Sequence, residues 1–311
     1  MKTAPAIAIQ TLSKKFGQQT AVDRVSFNVE VGEVFALLGP NGAGKTTILR
    51  MLTTLLKPTS GTIQVLGHNL QSESQAVRSL FGLAGQYASV DEDLTARENL
   101  QTFSLLNGLT FREARLRTQE LLEEFSLINS ADKPLATFSG GMRRRLDLSI
   151  SLIARPKIIF LDEPTTGLDP RTREQMWKTI RQLVQAGTTV ILTTQYLEEA
   201  DQLADHIALI DHGKLVALGT PQALKEKIAS KKLNLTFQNE LQATQAVQAI
   251  AEATNGIVQQ TNNMVNVSFN EVDDITKILT NLQVAKLSAN DIQIKQPSLD
   301  DVFFAMTVGK N

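Results

Sequence analysis

The sequence predicts an α/β protein, a mainly parallel sheet with a helical insertion, followed by a smaller α+β layer. Three observations carry that expectation. The apolar run Val34-Phe35-Ala36-Leu37-Leu38 passes through a glycine-rich turn into the helical pattern Thr46 to Leu52, the strand–turn–helix order of a parallel-sheet unit. A second apolar run, Ile158-Ile159-Phe160-Leu161, ends in Asp162-Glu163, and strand–helix alternation continues to about residue 220. Beyond Thr220-Pro221 the apolar periodicities follow one another as β-α-β-β-α-β, the order of a ferredoxin-like layer.

Residues 1–85 are expected to be strands around the glycine turn, because Ile7/Ile9 and Val25/Phe27/Val29 alternate with period two. Residues 86–154 are expected to be mostly helical. Ala114, Leu121, Leu122, Phe125 and Ile128 fall at helix spacing, while Gln119, Glu120, Glu123 and Glu124 supply the outer face. Strands return at Thr188–Thr194, Ile207–Ile210 and Leu215–Leu218. The expected domains are therefore 1–220, with its insertion at about 86–154, and 221–311. In the second, a helix over 222–230 precedes the strand Leu233/Leu235/Phe237 and a helix carrying Ala243, Val247, Ile250 and Ala251. Strands near 256–260 and 264–269, a helix with Val272, Ile275, Ile278, Leu279 and Leu282, and the strand Ile292/Ile294 follow. Ser298 then suits an N-cap, with Asp301 in the place of the usual capping-box glutamate.

The turn is Gly39-Pro40-Asn41-Gly42-Ala43-Gly44-Lys45-Thr46, followed by Thr47. Gly39, Gly42 and Gly44 let the backbone turn tightly and aim successive N–H groups inward, and the helix then presents its positive end to the same point. Lys45 reaches outer phosphates, and the Thr46 hydroxyl suits Mg²⁺. This predicts a nucleoside triphosphate site. Such a site needs a second metal partner, which Asp162 at the end of its apolar strand supplies. Glu163 is placed to polarise an attacking water as general base. The turn-rich Pro164-Thr165-Thr166-Gly167-Leu168-Asp169-Pro170 ends that strand.

Between these elements, Phe138-Ser139-Gly140-Gly141-Met142 opens an amphipathic run from Met142 to Ala154. Ser139 is a good N-cap there, and the glycines leave backbone N–H groups uncovered, which makes a second anion site; a plain capped helix is the alternative.

Taken together in chain order, these motifs resemble the ATP-binding subunits of ABC transporters, over about residues 5 to 220. The resemblance implies ATP and Mg²⁺ as ligands and an ATPase activity. Phe16 sits where that family stacks an aromatic ring on adenine; a core phenylalanine is the alternative. Gln86 looks like the glutamine that senses metal and attacking water, and the stretch from Gln86 to Leu100 like the contact with the membrane subunit. Ser139, Gly140 and Gly141 match the family signature, and Asp169 the aspartate lining a dimer seam. The family arrangement is two identical chains, head to tail, each signature facing the nucleotide of the other, with a separate polytopic membrane permease as partner. Arg143-Arg144-Arg145 is most simply a solvated helix face, with contact to the membrane subunit as the alternative.

One residue departs from the family pattern. Most relatives carry histidine where this chain has Gln195, at a position that contacts the outer phosphate. A glutamine amide donates a hydrogen bond but gains no proton near neutral pH. The string Gln195-Tyr196-Leu197-Glu198-Glu199-Ala200-Asp201 and the ending Pro297 to Phe304 resemble the daunorubicin-resistance type of drug-exporter ATPase, which implies a two-component exporter of a hydrophobic small molecule. A soluble non-transport ABC ATPase and a weakly hydrolysing nucleotide-dependent regulator are the alternatives. Lys+Arg 31 against Asp+Glu 32 gives no sign of nucleic-acid binding, and the lack of cysteine excludes disulfides and thiolate metal sites. No signal peptide is expected at Met1-Lys2-Thr3-Ala4-Pro5, and no apolar run approaches the ~20 residues that cross a bilayer. The expected location is cytoplasmic, peripheral on the inner face of the membrane through the permease.

Overall fold

The computed structural model describes residues 4–85, 90–228, 231–251, 254, 256–269, 271–295 and 297–307. The chain divides into two compact units, Met1–Pro221 and Gln222–Asn311. In the first unit, β1 (Ile7–Phe16) and β2 (Gln19–Val29) form a hairpin with Ile7, Ile9, Val25, Phe27 and Val29 buried between exposed or half-buried neighbours. The fully buried β3 (Val34–Leu38) follows, then α1 (Lys45–Leu52), β4 (Ser60–Val65), β5 (His68–Asn69), α2 (Ser74–Arg78) and β6 (Phe81–Ala84).

The N-terminal strands do not join the parallel core. They make a separate antiparallel sheet in the order β2-β1-β4-β5. Alternating burial suits a sheet with one wet face, whereas β3 is apolar throughout and needs cover on both faces.

The helical insertion follows. Its α3 (Ala96–Leu106) and α4 (Phe111–Glu124) each begin on a Thr-x-x-Glu capping box, Thr95 with Glu98 and Thr110 with Glu113. Leu100, Leu121 and Leu122 are buried. Helix α4 stops at Glu124, and Ser126 takes φ 53 before a 3-10 turn at Ile128–Ser130. Ile128, expected on the apolar helix face, is consequently 37% exposed. The unit is completed by α5 (Gly140–Ser151), β7 (Ile158–Asp162), α6 (Pro170–Gln185), β8 (Thr189–Thr194), α7 (Leu197–Leu203), β9 (His206–Asp211) and β10 (Lys214–Gly219).

The main sheet runs β10-β9-β3-β8-β7-β6, parallel except for the β9–β10 hairpin. Its register sets Leu38 beside Thr194 and Thr193 beside Asp162. The C-terminal ends of β3, β8 and β7 therefore meet along one edge, the place where open α/β sheets gather ligands. Phe27 stacks on Phe35 with ring centroids 4.8 Å apart, which joins the two sheets through their shared core.

The second unit begins with α8 (Pro221–Ile228), which straddles the boundary residue. It continues with β11 (Lys231–Thr236), α9 (Glu240–Ala251), β12 (Val258–Thr261), β13 (Met264–Phe269), α10 (Val272–Val284), β14 (Asp291–Lys295) and α11 (Leu299–Thr307). The sheet order β12-β13-β11-β14, antiparallel throughout, is the ferredoxin-like arrangement. Leu233, Leu235 and Phe237 form its core with Ala243, Ile250, Val265, Val267, Ile278 and Leu282. Ser298 and Asp301 cap α11 reciprocally, Ser298 N donating to Asp301 Oδ2 at 2.9 Å and Asp301 N to Ser298 Oγ at 3.3 Å.

Candidate nucleotide-binding and hydrolysis site

The glycine turn leaves β3 and enters α1 through Gly44, whose φ of 106 is open to glycine alone. A Cβ there would also stand 2.7 Å from the Ala21 carbonyl oxygen. No side chain caps α1, so its first-turn N–H groups remain for an anion, and the helix dipole favours one. Asn41, Gly42, Gly44, Lys45, Thr46 and Thr47 line a cleft of about 360 Å³ with Gln19, Thr20, Ala21, Glu163, His212 and Gly213. Within the turn, Lys45 Nζ donates to the carbonyls of Gly39 at 2.7 Å and Pro40 at 3.0 Å. Burial lowers its pKa, and the Glu163 and Asp162 carboxylates oppose that shift. Ala43 is buried, and its carbonyl accepts from Gly213 N at 2.9 Å.

The two carboxylates arrive from β7. Asp162 Oδ1 accepts from Thr46 Oγ1 at 3.3 Å and from Thr193 Oγ1 at 2.6 Å. The strand ends that the register aligns are thus tied through their side chains. Glu163 adopts φ 49, a left-handed conformation that costs a non-glycine residue about 1–3 kcal/mol. This backbone turn places Glu163 on the phosphate cleft, while Asp162 continues the strand. Thr166 Oγ1 donates to Glu163 Oε2 at 3.0 Å.

Ser139 caps α5, accepting from Met142 N at 3.3 Å. The helix begins at Gly140 and ends at Ser151, not Met142 to Ala154 as the amphipathic run suggested. The glycines belong to its first turn, and only Gly140 is exposed. Gly141 is buried, because a Cβ there would stand 2.2 Å from Thr172 Cγ2 on α6. Neither Ser139 nor Gly140 lines the phosphate cleft of its own chain. Gly140 instead shares a second cavity of about 480 Å³ with Arg143, Arg144, Asp147, Glu163 and Thr166. Asp169 caps α6, accepting from Thr172 N at 3.0 Å and Thr172 Oγ1 at 2.6 Å, bonds that hold its pKa below the usual carboxylate value.

Phe16 is 51% exposed at the end of β1, with Lys14 Nζ 5.1 Å from its ring centroid. The core alternative for this phenylalanine is therefore excluded. Gln195 follows the last residue of β8 and is half-buried. Gln86 lies outside the described residues.

Arg143-Arg144-Arg145 is not a solvated face. Arg143 pairs with Glu92 at 2.6 Å, Arg145 donates to the Phe125 carbonyl at 3.0 Å, and the Arg144 side chain is only 15% exposed. Asp147 sits one turn on, with Oδ2 3.5 Å from Arg144 Nη1. That contact is too long for a hydrogen bond, which leaves the buried oxygen unpartnered. Burial accordingly raises the Asp147 pKa to about 6, against the opposing pull of Arg144.

Sequence reasoning missed Thr193, Arg144 and His212. Thr193 had a signal: a hydroxyl at the end of an apolar strand, in parallel register with Asp162. Arg144 had none, because three successive arginines on a helix look like surface.

Two family models match the chain: ABC transporter over residues 22–166, and ATP-binding protein DrrA1-3-like, C-terminal domain, over residues 219–307. The chain is 46% identical, over 99% of its length and 94% of the relative's, to the daunorubicin/doxorubicin resistance ATP-binding protein DrrA of Streptomyces peucetius. It is 44% identical, over 97% of its length and 96% of the relative's, to the daunorubicin resistance ATP-binding protein DrrA3 of Streptomyces coeruleorubidus. Among solved structures, it resembles an ATP-binding cassette dimer in a post-hydrolysis state bound to ADP and Pi. That likeness has a TM-score of 0.62 and 26% identity, and covers 69% of this chain and 98% of the other.

Proposed function

Because the chain belongs to the daunorubicin-resistance family of ABC transporter ATP-binding proteins, we propose that its ATPase drives export of a hydrophobic, drug-like molecule through a separate polytopic membrane protein. The observation that carries the hydrolytic reading is the meeting of Lys45 and Thr46, at the start of α1, with Asp162 and Glu163, at the end of β7.

In this reading the turn amides and Lys45 hold the phosphates of ATP. Lys45 exchanges its bonds to the Gly39 and Pro40 carbonyls for phosphate oxygens. Thr46 Oγ1 and Asp162 Oδ1, 3.3 Å apart, form a hard-oxygen pair suited to Mg²⁺, which keeps several waters and takes the rest of its ligands from phosphate. Bound there, the ion would neutralise charge on the outer phosphates. Glu163 accepts the proton of the attacking water as its oxygen bonds to the outer phosphorus and the bond to ADP breaks. Gln195, at the end of β8, donates an amide N–H hydrogen bond to the outer phosphate without gaining a proton. Phe16 offers its exposed ring to adenine.

Two copies pair head to tail, so that Ser139 and Gly140 meet the nucleotide of the opposite chain. The absence of both residues from their own phosphate cleft supports this, as does the exposed, capped start of α5. Among the described residues no helix is long and apolar enough to cross a membrane. The chain is held at the inner face of the membrane by the permease, through the stretch from Gln86 to Leu100. The cargo is a small hydrophobic molecule of the kind that the names of its relatives specify.

Gln195 favours one second reading, a nucleotide-dependent regulator that scarcely hydrolyses. Steady-state ATPase assays of the native chain with its membrane partner, against Glu163→Gln, decide between them. We expect the native chain to turn over at least about 100-fold faster, the scale on which general bases act. Equal rates would overturn the hydrolytic reading.

A further inference from the structure

A general base must be held in one place, and the backbone of Glu163 is in a conformation that it would leave if released. The φ of 49 has to be imposed by surrounding bonds. On the amide side, Glu163 N donates to Thr193 O at 3.1 Å and to Thr193 Oγ1 at 3.0 Å. On the carbonyl side, Glu163 O accepts from Thr166 N at 3.3 Å within its own turn and also from a side chain of another element. Arg144 Nη2 donates to the carbonyls of Asp162 at 2.7 Å and Glu163 at 3.1 Å, and Nε to that of Pro164 at 3.0 Å. Its Nη1 donates to the Gly85 carbonyl, one residue past β6.

One guanidinium thus gathers four main-chain carbonyls from the ends of β6 and β7. Three of them are consecutive and span the left-handed residue. Its burial against Asp147 leaves it little freedom to rearrange. Arg144 also lies on α5, five residues after the Ser139 cap, so the same side chain ties the Ser-Gly-Gly helix to the turn that aims Glu163. Its neighbours are spent elsewhere, Arg143 on Glu92 and Arg145 on the Phe125 carbonyl.

We propose that Arg144 is a positioning residue for hydrolysis: it fixes the Glu163 turn and couples the placement of that carboxylate to the signature helix. The inference rests on the reading of Glu163 as the base. A planar fork with five N–H donors spans these carbonyls, and a lysine ammonium, donating from a single point, does not.

The test is a cycle of Arg144→Lys and Arg144→Gln in the native and Glu163→Gln backgrounds of the full chain. Single-turnover ATP cleavage is normalised to the protein that binds Mg-ATP, so partial misfolding does not enter. In the native background either substitution should lower the cleavage rate about 10- to 100-fold, the scale of a misplaced reacting group. The dissociation constant for Mg-ATP should stay within about twofold, since the phosphate turn is untouched. In the Glu163→Gln background the same substitutions should change the residual rate less than about twofold, because residues that act as one unit are not additive. A loss of equal factor in both backgrounds, a native-background loss below twofold, or a matching loss of Mg-ATP affinity would overturn the proposal. A native chain no faster than Glu163→Gln would instead refute the hydrolytic reading itself, which the native rate alone decides.

Discussion

Replacing Asp147 by asparagine should change how stability depends on pH, in a direction that its surroundings dictate. The carboxyl is 11% exposed, its Oδ2 has no hydrogen-bond partner, and the nearest cation lies 3.5 Å away. Its pKa rises from 3.8 to about 6 on folding. Below pH 3.8 both states hold the proton, so the site costs nothing. As pH climbs between the two values the unfolded chain releases its proton first, and folding stability falls; above about 7 the penalty is constant. The full penalty, set by the difference between those two values, is about 3 kcal/mol. Linkage places roughly half of it at pH 5 and nearly all of it by pH 8. Asparagine does not titrate, so its unfolding free energy minus that of the native chain should rise by roughly 1 kcal/mol from pH 5 to pH 8. Any constant offset from the altered Arg144 contact drops out of that difference. The assay is urea unfolding followed by fluorescence of Trp177, the single tryptophan, which is buried in the unit that contains Asp147. A difference that stays flat from pH 5 to pH 8, or falls, would mean that Arg144 keeps Asp147 ionised, and the reasoning from burial would fail.

Two further outcomes follow from the same geometry. Lys45→Ala should weaken Mg-ATP binding roughly 10- to 150-fold, the worth of one charge-assisted bond, and calorimetric titration reads it; a change below threefold would mean that Lys45 stays on the Gly39 and Pro40 carbonyls when nucleotide binds. Gly141→Ala should destabilise the first unit by about 1–3 kcal/mol, because its Cβ would stand 2.2 Å from Thr172 Cγ2. Thr172→Ser removes that methyl and keeps the hydroxyl that bonds Asp169, so the double variant should recover most of the loss in Trp177-monitored unfolding.

What the sequence disclosed depended on whether a constraint was local. Strand β3, the glycine turn and β7 were legible because apolar runs, glycines and a terminal carboxylate pair are each read within a few residues. The ferredoxin-like order was legible for the same reason: each helix and strand of the second unit shows its own period. Separation of the N-terminal strands into another sheet was not, since alternation shows that one face of a strand is wet without naming its neighbours. Ile128 was misplaced because apolar spacing continues past the point where Ser126 turns the backbone left-handed. The arginine run failed for a different reason. Charge on a helix predicts solvent when water is the best partner on offer, but parallel strand ends present carbonyls that have finished their ladder and still need donors.

That last point bears on how this site is built. Apolar strands of a parallel sheet reach their C-terminal edge together, and their final carbonyls open toward the ligand. At β6 and β7 those carbonyls turn instead to Arg144. At β8 the hydroxyl of Thr193 joins the metal-ligand candidate Asp162, and its backbone oxygen joins the amide of Glu163. Each bond satisfies a polar group that a buried edge cannot leave unmade, and each also fixes a carboxylate. The requirement that the fold pair its main chain and the requirement that hydrolysis hold Glu163 still are met by the same atoms. A substitution at Arg144 should therefore act on stability and on turnover together, and only the turnover effect should vanish once Glu163 is gone.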